Sequence, residues 1–297
     1  MLLRTGTYSI VARDAASGAL GVAVQSHWFA VGPIVPWARP GVGAVATQAT
    51  AEPAYGPRLL DLLEAGTPAP DALARLLAGD ESARFRQVAV VDAEGRVAVH
   101  TGERCIAHAG DQQGDGFSAQ ANMMASPDVW PAMAYAFESA PGSIARRLAA
   151  ALHAAEAHGG DVRGRQSAAL LVVPPVGEGW ETTTDLRVDD SDEPLVELDR
   201  LLDLRDAYEL ANEGDELAGA GRHVEAGDRY TRASALAPDN HELLFWAGLA
   251  AAQAGDMPTA LSRVERAIEL RPSWRELLAR LEPDIAPSAA AVRDALG

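Results

Sequence analysis

The stretch Thr7-Tyr8-Ser9-Ile10-Val11-Ala12-Arg13-Asp14-Ala15-Ala16-Ser17-Gly18-Ala19-Leu20-Gly21-Val22-Ala23-Val24 decides the fold. Two β-rich runs, 8–12 and 18–24, flank the polar turn Asp14-Ala15-Ala16-Ser17-Gly18, and that pattern predicts a β-hairpin. A second hairpin is predicted where runs 87–91 and 96–100 flank Asp92-Ala93-Glu94-Gly95. Further strands are expected over 42–47, 117–122, 167–173 and 182–188. Helical spacing appears over 55–65, 70–77, 129–138 and 144–157, the last with Ile144, Leu148 and Leu152 four residues apart. A doubly wound parallel sheet needs a helix after nearly every strand, which the hairpins forbid. Antiparallel strands grouped with paired helices instead predict an α+β domain of stacked sheets between helical layers.

Beyond Pro174-Pro175-Val176-Gly177-Glu178-Gly179 and the acidic run 189–193, a helix over 194–203 is expected to lead into a second region. There Pro238 and Pro272 are 34 residues apart, and the same offset pairs Gly214 with Gly248, Gly221 with Gly255, Ala226 with Ala260, and Ala233 with Ala267. Gly and Ala allow two helices to approach closely, while Pro ends the second helix of each pair. That period is the signature of tetratricopeptide repeats, expected over 207–240 and 241–274 with a capping helix opened by Arg271-Pro272-Ser273-Trp274. Two repeats are fewer than usually stand alone, so packing on another surface is expected. The domains are therefore placed at 1–205, with 1–6 a candidate leader, and 206–297, an all-α module for interaction.

A chain of 297 residues has room for two cores. Its 42 acidic against 25 basic side chains, a formal charge of −17, argue against nucleic acid and anionic membrane as partners. No apolar run reaches the roughly 18 to 20 residues that cross a bilayer, and Met1-Leu2-Leu3-Arg4-Thr5-Gly6 does not read as a secretory signal. A soluble, cytoplasmic protein is expected. The lone Cys105 has no partner for an internal disulfide, and its neighbours His100 and His108 lack metal-site spacing, so a structural thiol, no metal and no cofactor are expected.

No phosphate loop, zinc-binding His-Glu-x-x-His pair or nucleophile elbow occurs. What remains is Gly6-Thr7 at the edge of the first strand. A threonine hydroxyl needs an adjoining base, and one is the threonine's own α-amine once the preceding bond is cut; it titrates near pH 8. Here a resemblance enters, carried by Thr7-Tyr8-Ser9-Ile10-Val11-Ala12-Arg13-Asp14, by 21–32 from Gly21-Val22-Ala23-Val24 to Ala30-Val31-Gly32, by Val35-Pro36-Trp37-Ala38, by 41–48, and by Gly159-Gly160-Asp161-Val162-Arg163-Gly164-Arg165-Gln166-Ser167-Ala168. These segments, in this order over roughly 7–205, resemble domain-of-unknown-function family 1028. The resemblance implies the N-terminal-nucleophile hydrolase fold, a four-layer αββα sandwich, and hydrolysis of an amide. Many relatives start at this threonine after the initiator Met, whereas six residues precede Thr7 here. Either the Gly6–Thr7 bond is cut autocatalytically, or translation starts downstream of Met1, or the site is inactive.

The candidate catalytic residues are Thr7 and His27, the latter standing where relatives often carry Lys, a cation that would lower the pKa of the nucleophile. Candidate substrate-binding residues are Gln25 and Ser26 beside it, the strand-end amides Gln48 and Asn122 as oxyanion donors, and the polar cluster Asp161, Arg163, Gln166 and Ser167. Trp28, Phe29 and Trp37 read as core or pocket wall. The leading expectation is an amide-bond hydrolase, amidohydrolase or peptidase in type, acting on a small-molecule or peptide amide, with homo-oligomers or a protein partner engaged through the repeats. Its rival is an inactive small-ligand-binding or scaffold protein.

Overall fold

The computed structural model describes residues 6–297, so all but the last residue of the candidate leader 1–6 lies outside the described residues. The chain divides into two units, 1–199 and 200–297.

In the first unit, β1 (Thr7–Arg13) and β2 (Leu20–Ser26) form the expected hairpin. Its turn is closed by Asp14, whose backbone carbonyl accepts from Gly18 N at 2.8 Å and whose carboxylate accepts from the Ser17 hydroxyl at 2.6 Å. There follow β3 (Pro36–Arg39), β4 (Gly43–Ala49), α1 (Tyr55–Glu64), α2 (Ala69–Ala78), β5 (Arg86–Asp92) and β6 (Val97–Thr101). The second half runs β7 (Gly110–Gly114), β8 (Phe117–Asn122), α3 (Val129–Ser139), α4 (Ile144–Ala157), β9 (Ser167–Val173) and β10 (Thr184–Val188). Every strand pairing is antiparallel, in a six-stranded sheet ordered β10-β9-β2-β1-β8-β7 and a four-stranded sheet ordered β3-β4-β5-β6.

The sheets meet through the inward alternation of Val11, Val22, Val24, Ala44, Ala46, Ala89 and Val91. On the outer face of the smaller sheet, Leu59, Leu60 and Leu63 of α1 and Leu73 of α2 bury Val45, Val88 and Val90. On the outer face of the larger sheet lie α3 and α4. Leu148 of α4 sits so close to β2 that a β-carbon at Gly21 would stand 2.7 Å from its Cδ1. The layers are therefore helix pair, sheet, sheet, helix pair.

Two strands escaped the sequence reading, and both are explained by position. Strand β7, Gly-Asp-Gln-Gln-Gly, and the four-residue β3 are edge strands paired on one side only, so neither carries the apolar alternation of a buried strand.

Helix α5 (Pro194–Gly219) does not stop near 203 as expected; no Gly or Pro interrupts it between Pro194 and Gly214. The second unit continues with α6 (His223–Leu236), α7 (His241–Gln253), α8 (Met257–Leu270), α9 (Ser273–Arg280) and α10 (Ala289–Leu296), the last an addition to the expected capping helix. The equivalent glycines act as anticipated from their size. A β-carbon at Gly214 would stand 2.8 Å from the Tyr230 ring, and one at Gly248 would stand 2.6 Å from Val264 Cγ2. Gly221 and Gly255 follow their helices at φ +76° and +87°, left-handed positions that end a helix. The Trp274 ring stacks on Phe245 at 4.5 Å between centroids, closing the apolar face of α7 and α8.

Among the described residues, no helix is long and apolar enough to cross a membrane.

A β-carbon at Gly56 would lie 2.2 to 2.4 Å from the Trp37 ring, whose indole N–H is held by the Ile34 carbonyl at 3.0 Å. Gly56→Ala should therefore destabilise by about 1–3 kcal/mol through overpacking, read as a lower midpoint in denaturant unfolding. His153 Nε2 lies 2.7 Å from Asp199 Oδ2, a contact that raises the histidine's pKa above its ordinary value. Because the folded value is the higher one, this stabilisation is complete below about pH 6.5 and fades as pH rises through the folded pKa. The melting-temperature gap between the natural chain and Asp199→Asn should accordingly shrink from pH 6 towards pH 8.

Candidate active site

Strand β1 is central in its sheet, and its register sets the site. Thr7 stands directly opposite Ser26 of β2 and Asn122 of β8, so these three side chains share the face turned towards the second sheet. Tyr8, Gln25 and Ala121 alternate to the other face, under the helices. There Tyr8 donates to Glu156 of α4 at 2.6 Å, and burial with that carboxylate pushes its phenol pKa well up. Gln25 is fully buried on this helix-covered face, which separates it from the Thr7 hydroxyl.

Thr7 is 4 % exposed. Its hydroxyl oxygen lies 2.6 Å from the Gly6 carbonyl oxygen and 3.0 Å from Ser26 Oγ. The same carbonyl accepts from Ser26 Oγ at 2.5 Å and from Arg163 Nη2 at 2.7 Å. The Thr7 hydroxyl donates to the same oxygen, so two hydroxyls and one guanidinium converge on the Gly6 carbonyl. Charge-assisted donation by a guanidinium polarises that carbonyl more than a neutral donor would.

Arg163 is held by Asp161, which accepts from its Nη2 at 2.7 Å, its Nε at 3.1 Å and its backbone N at 3.0 Å. The Asp161 side chain is completely buried and also accepts from His27 N at 3.3 Å. The imidazole of His27 faces the Arg165 carbonyl, with Nδ1 at 3.4 Å, so it is not the cation at the Gly6–Thr7 bond. That cation is Arg163. All 25 basic residues of this chain are arginines, so no lysine is available for the task.

Gln48 and Asn122, anticipated as oxyanion donors, point instead at the carbonyl of Thr7 itself, at 3.3 and 3.4 Å. Both are also bonded to Gln87 Oε1, at 2.8 and 3.0 Å. Both thus contact the backbone of Thr7. Ser9, Gln87 and Gln120 complete this network: Ser9 Oγ donates to Gln48 Oε1 and accepts from Gln120 Nε2, each at 2.6 Å. These three were missed in the sequence. For Gln120 the signal was the alternation Ser118, Gln120, Asn122 along one face of an otherwise apolar strand.

Of the remaining candidates, Ser167 holds the 28–31 loop, donating to Trp28 O at 2.5 Å and accepting from Val31 N at 3.1 Å. Gln166 turns outward to Asp190 at 3.0 Å. The structure thus brings Thr7, Ser26, Asp161 and Arg163 together around Gly6, puts Gln48 and Asn122 behind Thr7, and leaves Gln25, His27, Gln166 and Ser167 outside that contact. Burial pushes the Cys105 thiol up to about 11, which makes it a poor nucleophile. Among the described residues, no cluster of His, Cys, Asp and Glu could hold a metal ion.

Comparison with known proteins agrees with this frame. A crystal structure of protein SPO2555 from Silicibacter pomeroyi, assigned to the family DUF1028, is similar with a TM-score of 0.62 at 32 % sequence identity, covering 67 % of this chain and 85 % of that one. No curated protein matches the chain. The model of the Family of unknown function (DUF1028) matches residues 7–198, from the candidate nucleophile to the start of α5, and the chain therefore belongs to that family.

Proposed function

We propose that this chain is an amide-bond hydrolase of the N-terminal-nucleophile type, with Thr7 as nucleophile. The observation that carries the reading is the Gly6 carbonyl gripped by Ser26 and Arg163 with the Thr7 hydroxyl 2.6 Å from its oxygen. In this reading, Thr7 Oγ1 attacks the Gly6 carbonyl carbon, the Gly6–Thr7 C–N bond breaks, and the hydroxyl proton passes to the departing nitrogen. Water then hydrolyses the resulting ester, releasing residues 1–6 and restoring the hydroxyl. The freed α-amine, titrating near pH 8, becomes the base for an external amide. Ser26 and Arg163 are donors to the developing oxyanion, Asp161 positions Arg163, and Gln48 and Asn122 fix Thr7.

The helix, sheet, sheet, helix order of the first unit supports assigning it to the N-terminal-nucleophile sandwich. The 34-residue offset of Gly214/Gly248 and Pro238/Pro272, with glycines at close helix contacts, supports reading the second unit as tetratricopeptide repeats that serve self-association or one protein partner.

Intact mass decides the first step. The purified natural chain should lose residues 1–6 and begin at Thr7, whereas Thr7→Ala should keep them. Thr7→Ser should still be processed. Ser26→Ala should slow release by about 10²-fold, the scale of losing one oxyanion donor. A natural chain that retains residues 1–6 through long incubation at pH 8, with any amidase activity unchanged by Thr7→Ala, overturns the proposal and favours a binding protein.

A further inference from the structure

The L side of the Gly6 α-carbon is already occupied. A β-carbon built there would stand 2.6 and 2.7 Å from the two carboxylate oxygens of Asp161 and 2.8 Å from its carboxylate carbon, inside the 3.0 Å that β-carbons essentially never breach. A flexible side chain would move aside, but this one is buried and tied down. It accepts from His27 N at 3.3 Å and from three nitrogens of Arg163 at 2.7 to 3.1 Å. Arg163 in turn holds the Gly6 carbonyl at 2.7 Å. Displacing the wall therefore releases the clamp. A residue larger than glycine loses carbonyl polarisation along with the space.

The same wall faces any later acyl group. Attack of Thr7 Oγ1 on the Gly6 carbonyl gives an ester whose acyl α-carbon is that of Gly6. Attack on an external amide gives an ester of the same kind: the substrate's C–N bond breaks, the amine leaves with the hydroxyl proton, and water releases the acid. With Ser26 and Arg163 on its carbonyl oxygen, the substrate's acyl α-carbon takes the place of Gly6 against Asp161. We infer that Asp161 makes this site selective for glycyl amides, peptide-like substrates whose acyl residue is glycine, and that it excludes L-residues with a β-carbon. The inference rests on Thr7 acting as nucleophile.

The test has a cis and a trans arm, both on the full chain. In cis, leader release is timed by intact mass for the natural chain, Gly6→Ala, Asp161→Ser, and the two substitutions combined. The ratio of Gly6 to Gly6→Ala rates within each background cancels any general loss caused by Asp161→Ser. Gly6→Ala should slow release about 30-fold or more in the natural background, and less than about 5-fold beside Asp161→Ser. In trans, the processed chain is given anilides of the leader peptide Met-Leu-Leu-Arg-Thr-Gly and of its variant ending in L-Ala. The glycyl anilide should be hydrolysed about 30-fold faster or more in kcat/KM. Equal rates in either arm overturn the selectivity while leaving the nucleophile in place. Release in cis without hydrolysis of either anilide overturns the substrate class. No release from any chain overturns the reading of Thr7, and this inference with it.

Discussion

Thr7 opens a central strand of the larger sheet and is 4 % exposed. Polar groups there must be satisfied by protein, because an unpartnered buried group costs about 1–3 kcal/mol. Gln48 from the smaller sheet and Asn122 from the larger one both reach the carbonyl oxygen of Thr7, and Gln87 ties the two amides together. The consequence is positional. The start of β1 is thereby tied to both layers.

From that fixed residue the rest of the site follows by register. Opposite Thr7 stands Ser26, and one strand further, opposite Ser26, stands Ser167. Ser167 ties down the loop that leaves β2, while the 160–163 turn carries Asp161 and Arg163 to Gly6 through an antiparallel bridge to Met124. Ala49 and Met123, at or just past the ends of β4 and β8, are non-glycine residues at φ +64° and +59°. Such conformations cost roughly 1–2 kcal/mol each, and tight surroundings must compensate them.

Charge is handled in the same economical way. Within an acidic chain, one arginine is brought to the Gly6 carbonyl and neutralised by one buried aspartate. The pair is also geometric: the fork of Arg163 fixes the Asp161 carboxylate, and the carboxylate limits what fits beside Gly6. The ion pair therefore contributes both to the polarisation of this carbonyl, beside Ser26, and to the shape of the space around it.

Much of the fold was legible from local pattern. The turn chemistry of Asp14 to Gly18 and of Asp92 to Gly95 dictates hairpins, hairpins dictate antiparallel sheets, and the 34-residue recurrence of Gly and Pro dictates stacked helix pairs. These are near-neighbour effects, set by backbone conformations that few residues adopt. Edge strands β3 and β7 were not legible, since a strand paired on one side need not alternate. The sequence by itself also placed Thr7, Ser26, Asp161 and Arg163 among the candidates, Thr7 through the family resemblance, Ser26 as a neighbour of His27, and Asp161 and Arg163 as a polar cluster before an apolar strand. What each one touches was decided by tertiary structure alone. Which face of a strand looks inward depends on the partner sheet, so Gln25 is turned under the helices while Ser26 meets the Gly6 carbonyl. Distances between residues 6 and 163 depend on every strand between them, and only the assembled sheets set those.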